Sequence, residues 1–447
     1  MIENQEFVIK RSEFNDIEEL PGLLASKAGH PILRWYISKV ANNGREFVID
    51  AALNLRKDGG AVFPGIREDD LYPGKSVVVS IVPTGVGCEI GGYAADAAPA
   101  TALLASCTDY LITNPNAVNA SNFIAMDNNV WYTEGYSIDL FCKGEINLYK
   151  PYSNKVGLIV ERADQENLEV VYNIVNTARA VHGVDIGGVE VTEARIGGRC
   201  VRYNSGAYVG TLDFPDVLLD AAQRLIEKGV NAIGITSNIQ DLPGVDYAKH
   251  FDGQHPNPVG GAEAIISHLI TDVFRVPAAH APMINVKPLD LTSNIVDARG
   301  AGEYASASGL ACILIGLARA PQLVRHNNYR IKDVVNINNL LAIVTPSSTL
   351  GGVPALYAQK YNIPIIAVKE NNTILDVSRE KLGLRNVYQV SSYAEAAGYL
   401  QALRSGISIE SLHRPLHTLR PEWDTQTLQN ACKKAENIEE HVLVAKN

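Results

Sequence analysis

Short runs of β-branched residues alternate with longer helical segments over most of this chain, and this alternation constrains the fold more than any other feature. Residues 77–82 form one such run, which leads directly into a glycine-rich turn at 83–87. Runs that are apolar on both faces are typical of strands buried inside parallel sheets. The pattern predicts strands at residues 77–82, 110–113, 155–161, 189–196, 232–236, 340–344 and 365–368, and helices at 93–106, 166–182, 214–228, 262–274 and 354–361.

Strands that alternate with helices imply parallel sheets covered by helices, so we expect an α/β protein with Rossmann-like parallel sheets. The 447 residues are enough for two or three domains. We expect a first α/β domain over residues 1–150, a second over 151–330 with a long polar loop, and a third α/β unit over 331–447 that ends in a helical appendage. The appendage is either a solvated extension or a contact in a homo-oligomer.

Three Gly-Gly pairs, at 91–92, 260–261 and 351–352, each precede a predicted helix that leads into a short strand. Glycine allows backbone N–H groups to converge at a helix N-terminus, where partial positive charge attracts phosphate or carboxylate. In parallel sheets such loops gather at the carboxyl ends of the strands, where ligands bind. The three units predict a shared cleft for a small anionic ligand, although tight packing also explains each pair taken alone.

The residues predicted to bind this ligand are glycines of the three loops, neighbouring hydroxyl side chains and asparagines that follow the strand at 110–113. Turn chemistry explains the asparagines equally well. The predicted ligand-binding residues are Thr84, Gly85, Gly87, Gly91, Gly92, Asn114, Asn116, Asn119, Gly260, Gly261, Ser347, Ser348, Thr349, Gly351 and Gly352.

Histidines and carboxylates near the glycine loops are candidates for proton transfer. His280 ends a predicted strand and His255 lies in the polar loop at 237–259, and both are predicted acid–base groups near neutral pH. Asp96 and Glu263 lie in the first turns of predicted helices, where they either complement the helix dipole or take part in catalysis. The polar loop itself is a substrate lid, a metal site or a solvated loop. His268, inside an apolar helix, is expected in the core.

The first glycine loop matches a dinucleotide-binding turn only in part. Ile90 stands where the fingerprint requires a third glycine, and Asn114 stands where an acidic residue would follow the next strand. The loop also lacks the Gly-Lys-Ser/Thr ending of a P-loop. An NAD(P) site is therefore an alternative rather than the first interpretation.

Composition excludes several classes of protein. A net charge of −10 argues against nucleic acid or anionic lipid as a partner, because each needs a basic surface. Six cysteines without metal-ligand spacing fit a reducing cytosol. The acidic first residues do not form a signal peptide, and the most apolar stretch, 309–318, is too short to span a membrane. These features predict a cytoplasmic protein without a membrane partner.

Three segments together resemble an uncharacterised domain family found mainly in cyanobacteria, other bacteria and plant plastids. They are residues 83–92, 114–119 and 346–354, and the likeness extends from about residue 70 to residue 400. In that family small residues commonly occupy the position of Cys88, and histidine that of Asn114. The resemblance therefore argues against Cys88 as a nucleophile and for an altered specificity near Asn114, and it implies no reaction or cofactor.

The sequence thus predicts an enzyme that acts on a small anionic metabolite by proton transfer, as an isomerase, lyase or cyclase, with no cofactor favoured. One alternative is an NAD(P)-dependent oxidoreductase that uses the first glycine loop. The other is a non-catalytic metabolite-binding protein, whose glycine loops would lack convergent titratable residues. In each case we expect a homo-oligomer.

Overall fold

The computed structural model describes residues 2–55, 74–115, 119–120, 123–124, 127–240, 242, 248–253, 255–283, 295–306, 308–324 and 334–419. The chain divides into two compact units, Met1–Ser405 and Gly406–Asn447. The larger unit contains the sheets and the candidate site. In the smaller unit, the described residues 406–419 include one turn of 3-10 helix at Ile409–Leu412.

Strands occur throughout the larger unit, including its N-terminal segment, where none is predicted from the sequence. In chain order they are β1 (Ile2–Lys10), β2 (Ile32–Ala41), β3 (Glu46–Asn54), β4 (Val77–Ser80), β5 (Tyr110–Thr113), β6 (Asn119–Ala120), β7 (Phe123–Ile124), β8 (Val130–Tyr132), β9 (Asn147–Tyr149), β10 (Val156–Val160), β11 (Ile186–Val191), β12 (Gly198–Arg202), β13 (Tyr208–Leu212), β14 (Ala232–Ser237), β15 (Ile239–Gln240), β16 (Ala278–Pro282), β17 (Gln322–Val324), β18 (Val334–Val335), β19 (Leu340–Pro346), β20 (Ile365–Val368) and β21 (Val387–Val390).

The helices pack their apolar faces against these strands. In α5, for example, Leu218, Ala222 and Leu225 recur at helical spacing and are fully buried. In chain order the helices are α1 (Glu19–Ala28), α2 (Ala98–Ala105), α3 (Gly135–Cys142), α4 (Gln165–His182), α5 (Pro215–Glu227), α6 (Ala248–Phe251), α7 (Gly260–Phe274), α8 (Ala301–Ala305), α9 (Gly309–Leu317), α10 (Val353–Lys360), α11 (Arg379–Leu382) and α12 (Tyr393–Arg404).

Two sheets are parallel throughout their described strands. The larger has the order β21-β20-β19-β4-β5-β8, and the smaller has the order β11-β10-β14-β16. Val77, Val78 and Val79 of β4 are fully buried, as a continuous apolar run in a parallel sheet requires. The predicted α/β class is therefore confirmed, whereas the Rossmann-like detail stays a prediction.

The larger parallel sheet joins distant parts of the chain. Strands β4, β5 and β8 precede residue 133, and β19, β20 and β21 follow residue 339, yet all six belong to one sheet. The division of the chain into three domains at residues 150 and 330, as separately folding units, stays a prediction. Two small antiparallel sheets, β17-β9-β18 and β6-β7, complete the described strands.

A third large sheet, β15-β12-β13-β1-β3-β2, is antiparallel except where β12 meets β15. Its two faces contribute to two apolar cores. One core includes Ile37 and Ile49 with strands of the larger parallel sheet, and the other includes Leu33 with strands of the smaller one. The antiparallel sheet therefore lies between the two parallel sheets, and the candidate site lies where these layers meet.

Helix α2 begins at Ala98, so the predicted helix start at residue 93 is wrong. The intervening residues form turns, in which Ala95 has a φ of 70°. The backbone N–H of Gly91 donates to the carboxylate of Asp96 within this segment. Pro99 then lies in the first turn of the helix, where its fixed φ is favourable. The first Gly-Gly pair therefore does not open a helix, in contrast to the other two.

Candidate functional site

A cavity of about 200 Å³ lies where β2 and β3 of the antiparallel sheet meet the first turns of α3, α7 and α10. Its wall carries more ionisable groups than a packing void would, since buried charges are costly unless they are paired. The polar residues of its described lining are Asn4, Arg34, Tyr36, Asp50, Thr84, Asn114, Glu134, Tyr208, Glu263, Ser267, His268, His280, Thr345 and Thr349.

Three helices begin at this cavity. Glu134 is the N-cap of α3, Gly260 is the first residue of α7, and Gly352 is the N-cap of α10. The first N–H groups of a helix have no partner within the helix and carry partial positive charge. At α3 the carboxylate of Glu134 already accepts two of these N–H groups, so the termini of α7 and α10 are those that favour a ligand with negative charge.

The structure brings residues of all three predicted glycine loops to the cavity. Thr84 comes from the first loop, Gly260 and Gly261 from the second, and Thr349 and Gly352 from the third. The predicted residues of the described chain that are not in this lining are Gly85, Gly87, Gly91, Gly92, Ser347, Ser348 and Gly351. Whether the lining residues bind a ligand stays a prediction.

Several of these glycines are also required by close packing between loops. A Cβ added at Gly260 would overlap Thr84 Oγ1, and one added at Gly85 would overlap the carbonyl oxygen of Tyr208. At Gly261 the added atom would lie 2.5 Å from that same oxygen. Backbone segments can approach this closely only where no side chain intervenes. Packing therefore explains these glycines independently of any ligand.

The third Gly-Gly pair allows a matched test of packing against cavity lining. Gly351→Ala is expected to destabilise the protein by about 1–3 kcal/mol, because the added methyl would overlap the Ile37 carbonyl oxygen and lie 2.8 Å from Ile37 Cβ. In Gly352→Ala the nearest atom is Pro354 Cδ at 3.7 Å, so its stability should stay within about 0.5 kcal/mol of wild type. Urea unfolding of both variants measures the difference, and equal losses would contradict it.

Arg34 of β2 is the one arginine or lysine in the described lining. Its Nε lies 3.0 Å from Oδ2 of Asp139, and its Nη1 lies 3.2 Å from Nε2 of His268. Burial opposes the charge, but the carboxylates of Asp139 and Glu134 outweigh burial and raise the pKa of Arg34. Gly135 packs against the guanidinium, because an added Cβ would lie 2.9 Å from Nη1. Arg34 is therefore a fixed positive charge at the start of α3.

His268 and Glu134 form a buried pair beside Arg34. Nδ1 of His268 lies 2.5 Å from Oε2 of Glu134, and the side chains are 3% and 2% exposed. Glu134 also accepts the backbone N–H groups of Tyr136 and Ser137 as the N-cap of α3. Burial alone would raise the pKa of Glu134, but His268 and these hydrogen bonds lower it. His268 is thus buried, as the sequence predicted, and it also lines the cavity.

The geometry assigns a tautomer to His268. A guanidinium can only donate hydrogen bonds, so Nε2 of His268 accepts from Arg34. The ring proton of a neutral imidazole then lies on Nδ1, from which it is donated to Glu134. A ligand anion that drew the N–H of Arg34 to itself would leave Nε2 able to accept a proton.

His280 and Glu263 form a second pair at the same cavity. Nδ1 of His280 lies 3.4 Å from Oε1 of Glu263, and Nε2 lies 2.8 Å from Oγ of Ser237. His280 lies on β16, Ser237 ends the neighbouring strand β14, and Glu263 lies in the first turn of α7. The structure thus brings together two of the four predicted acid–base residues, through a chain of groups that can hold or pass a proton.

His255 lies apart from these two pairs, at a second cavity of about 170 Å³. Gly87, Gly92 and Cys88 line this cavity as well. Burial and the nearby Asp96 raise the pKa of the Cys88 thiol, which agrees with its expected lack of nucleophilicity. Among the described residues there is no group of three or more His, Cys, Asp or Glu side chains that could hold a metal ion.

Asp96 is in the described lining of neither cavity. Burial raises its pKa to about 7, against the effect of the hydrogen bond from Gly91. The structure thus places it in the turn before α2 rather than in the first turn of a helix, and the dipole explanation for it does not apply. A catalytic role for Asp96 stays a prediction.

Most of the described asparagine, serine and threonine residues that were predicted to bind the ligand form hydrogen bonds within the protein. The side-chain amide of Asn114 accepts from the N–H of Val82 at 2.9 Å and donates to its carbonyl at 2.8 Å. Thr349 Oγ1 lies 3.2 Å from Thr345 Oγ1. Ser348 Oγ lies 2.8 Å from Thr373 Oγ1, and the N–H of Ser347 donates to the Val368 carbonyl. Asn116 and the side chain of Asn119, as well as Asp241 and Asp246 of the polar loop, lie outside the described residues.

The charged residues that the antiparallel sheet and α3 bring to this cavity are not among those predicted from the sequence. These are Arg34, Asp50 and Glu134; Asp139, which is outside the lining, is paired with Arg34. A signal was present, because Arg34 and Asp50 each interrupt an otherwise apolar strand segment. A charge in a buried strand needs a partner or a function.

Fold and cavity together define an α/β protein with a buried, charged, ligand-sized cavity. Residues 77–413 match the model of a family described as "Protein of unknown function (DUF3326)", and the chain belongs to this family. The resemblance noted in the sequence is therefore confirmed. A protein of Synechococcus sp. described as an uncharacterized lipoprotein is 36% identical over 336 residues, which cover 75% of this chain and 92% of that protein. No solved structure matches the chain.

The description of this relative contradicts one prediction from the sequence. Because that protein is described as a lipoprotein, the predicted cytoplasmic location is wrong. The described part of the chain contains no helix with the length and apolarity to span a membrane.

Proposed function

We propose that the protein is an enzyme that binds a small anionic metabolite in the first cavity and moves protons to and from it. The observation that carries this proposal is that Arg34 shares one cavity with two His–carboxylate pairs, His268–Glu134 and His280–Glu263. Titratable groups that converge on a concave site are the usual signature of acid–base catalysis.

The binding part of the proposal rests on fixed positive charge. Arg34 would donate to a carboxylate or phosphate group, as guanidinium groups commonly do. The N-termini of α7 and α10 would add backbone donors that need no rearrangement on binding. A small anion bound at these groups would share the cavity with both imidazoles.

The chemical part of the proposal assigns different roles in proton transfer to the two pairs. The anion would take the N–H of Arg34 that His268 Nε2 accepts in the free protein, and His268 would then become a base. Glu263 is in the cavity lining and is hydrogen-bonded to His280. It would be the second proton-transfer group, which donates a proton to the substrate or accepts one from it. Two proton-transfer groups around one substrate suit an isomerase, a lyase or a cyclase.

The size of the cavity supports a small ligand. About 200 Å³ is less than the roughly 300–1,000 Å³ that sites for drug-sized ligands occupy. This weighs against the NAD(P) alternative, as does the start of α2 at Ala98 rather than at the first glycine pair. The convergence of titratable groups likewise weighs against a purely non-catalytic binding protein.

Exchange with solvent deuterium tests this proposal and does not require the product to be identified. We expect the protein to replace a carbon-bound hydrogen with deuterium in at least one member of a panel of small carboxylic acids, keto acids and phosphorylated sugars in D₂O, followed by proton NMR. His268→Gln and Glu263→Gln should each slow this exchange by about 100-fold or more. His182→Gln and Glu166→Gln, both exposed on α4, are the matched controls. Exchange that is absent for the whole panel, or unchanged in both site variants, contradicts the proposal.

A further inference from the structure

Asp50 lies at the cavity without any role in the two His–carboxylate pairs. It is on β3, opposite Tyr36 of β2 and Glu6 of β1. Its side chain lines the cavity, although the residue is only 2% exposed. A carboxylate in this position has lost its water and must find its partners within the protein or from a ligand.

The described residues provide no positively charged partner for Asp50. Both carboxylate oxygens of Asp50 are buried without a hydrogen bond of ordinary length and angle. Burial is the main cause that raises the pKa of Asp50 to about 6, and the charge of Glu6 adds to it, while weak hydrogen bonding to the hydroxyls of Tyr36, Ser38 and Ser205 opposes the rise. At neutral pH most of the Asp50 population is therefore ionised and lacks an ion-pair partner.

Arg34 does not neutralise Asp50, although it is on the adjacent strand. Its guanidinium is bonded to Asp139 and His268. Arg34 is opposite Ala52, one position along the same face of the sheet from the Tyr36–Asp50 pair. Such diagonal neighbours are about 7–8 Å apart, a distance that a molecule of a few carbon atoms can bridge.

A second unsatisfied polar group lies beside them. Nδ2 of Asn4 is buried without an acceptor among the described residues, and Asn4 lines the same cavity. Asn4 is also opposite Ala52, on the other side from Arg34, so the three polar side chains share one face of the sheet. The face therefore offers an amide donor and a guanidinium at one end and an unpaired carboxylate at the other.

We infer that the ligand of this cavity is a small amino acid-like molecule, whose protonated amine is bound by Asp50 and whose acidic group is bound by Arg34. This inference rests on the proposed function and adds the substrate class. A ligand hydroxyl would supply a hydrogen bond to Asp50 but no compensating charge, whereas an ammonium group supplies both. Asn4 would donate to the acidic group or to a further oxygen of the same ligand.

Calorimetric titration of the full chain at pH 7.5 tests this inference. The panel contains the common amino acids, each compared with the hydroxy acid and the unsubstituted acid of the same carbon skeleton. We expect at least one amino acid to bind about 10-fold or more tightly than both of its counterparts. In Asp50→Asn the affinity for that amino acid should fall about 10-fold or more, so that the preference disappears. Asp220→Asn, an exposed aspartate on α5, should keep the preference.

The outcomes separate this inference from the proposed function. Equal binding of amino acids and their counterparts would overturn the inference and leave the anionic-ligand proposal standing. Binding of potassium or magnesium ions alone, lost in Asp50→Asn, would also overturn it, since Asp50 would then be a cation site. If no member of this panel binds to wild type, the inference fails, and the proposed function is then decided by the deuterium-exchange panel, which also contains keto acids and phosphorylated sugars.

Discussion

Glu134→Ala is expected to lower the free energy of unfolding at pH 7 by about 3–5 kcal/mol, because it removes the buried carboxylate that accepts from His268 and offsets the charge of Arg34. The change would leave His268 and Arg34 without the carboxylate that lies 2.5 Å from the imidazole. It would also free the backbone N–H groups of Tyr136 and Ser137 at the start of α3. Chemical denaturation followed by circular dichroism measures the loss.

Asp164 provides a matched control for the capping part of this effect. It is the N-cap of α4, where its carboxylate accepts the N–H of Asn167 at 2.9 Å near the protein surface. Asp164→Ala should cost only about 1 kcal/mol, because a cap is lost but no buried pair is broken. Losses of equal size in the two alanine variants would show that the His268–Glu134 pair contributes nothing beyond the cap.

The pH dependence of the Glu134 effect has a definite sign. The pKa of Glu134 in the folded protein is below the ordinary value of 4.5. The stabilisation of the folded protein by ionised Glu134 is therefore complete above pH 4.5 and is lost as the pH falls through the lower pKa that Glu134 has in the folded state. The difference between wild type and Glu134→Ala should accordingly shrink in acid, and a difference that grows below about pH 4 would contradict the assignment.

Elements with a strong local pattern could be predicted from the sequence. Strands β5 and β20 have the predicted boundaries, α4 and β14 differ from prediction by one residue at one end, and α5 is one residue shorter than predicted at each end. Strand β11 lies a few residues before its predicted position. The antiparallel sheet could not be anticipated in this way, because its strands pair across large separations in sequence, as β1 does with β13. Its charged cavity-facing residues also blur the apolar pattern.

The sequence could predict only those residues of the candidate site whose approach to the cavity follows from a local strand, loop and helix pattern. Gly352 follows β19 and caps α10, and Gly260 is the first residue of α7, so the approach of these glycines to one end of the sheets was foreseeable. Arg34 and Asp50 reach the cavity because of the order of strands in a sheet, which no local pattern encodes. For the same reason sequence could not separate His255 from His280, which line different cavities.

Asp50→Asn is expected to stabilise the protein at pH 7.5 by up to about 3 kcal/mol, the reverse of the usual effect of a core substitution. This magnitude follows from a pKa of about 6 in the folded protein, against an ordinary value of 3.8. Because the pKa is raised, the stability of the wild type is complete below pH 3.8 and is lost progressively as the pH rises toward and beyond 6. Asparagine has nearly the same shape and no charge, so the variant should not show this loss.

The measurement is the unfolding free energy of wild type, Asp50→Asn and Asp220→Asn between pH 4 and pH 7.5. The advantage of Asp50→Asn should be greatest above about pH 6 and vanish near pH 4, whereas the exposed Asp220 variant should follow wild type throughout. A wild type as stable as Asp50→Asn at pH 7.5 would mean that the carboxylate has found a partner in the free protein. A stabilised variant that has also lost its preference for amino acids would show that Asp50 remains unpaired until an amine binds.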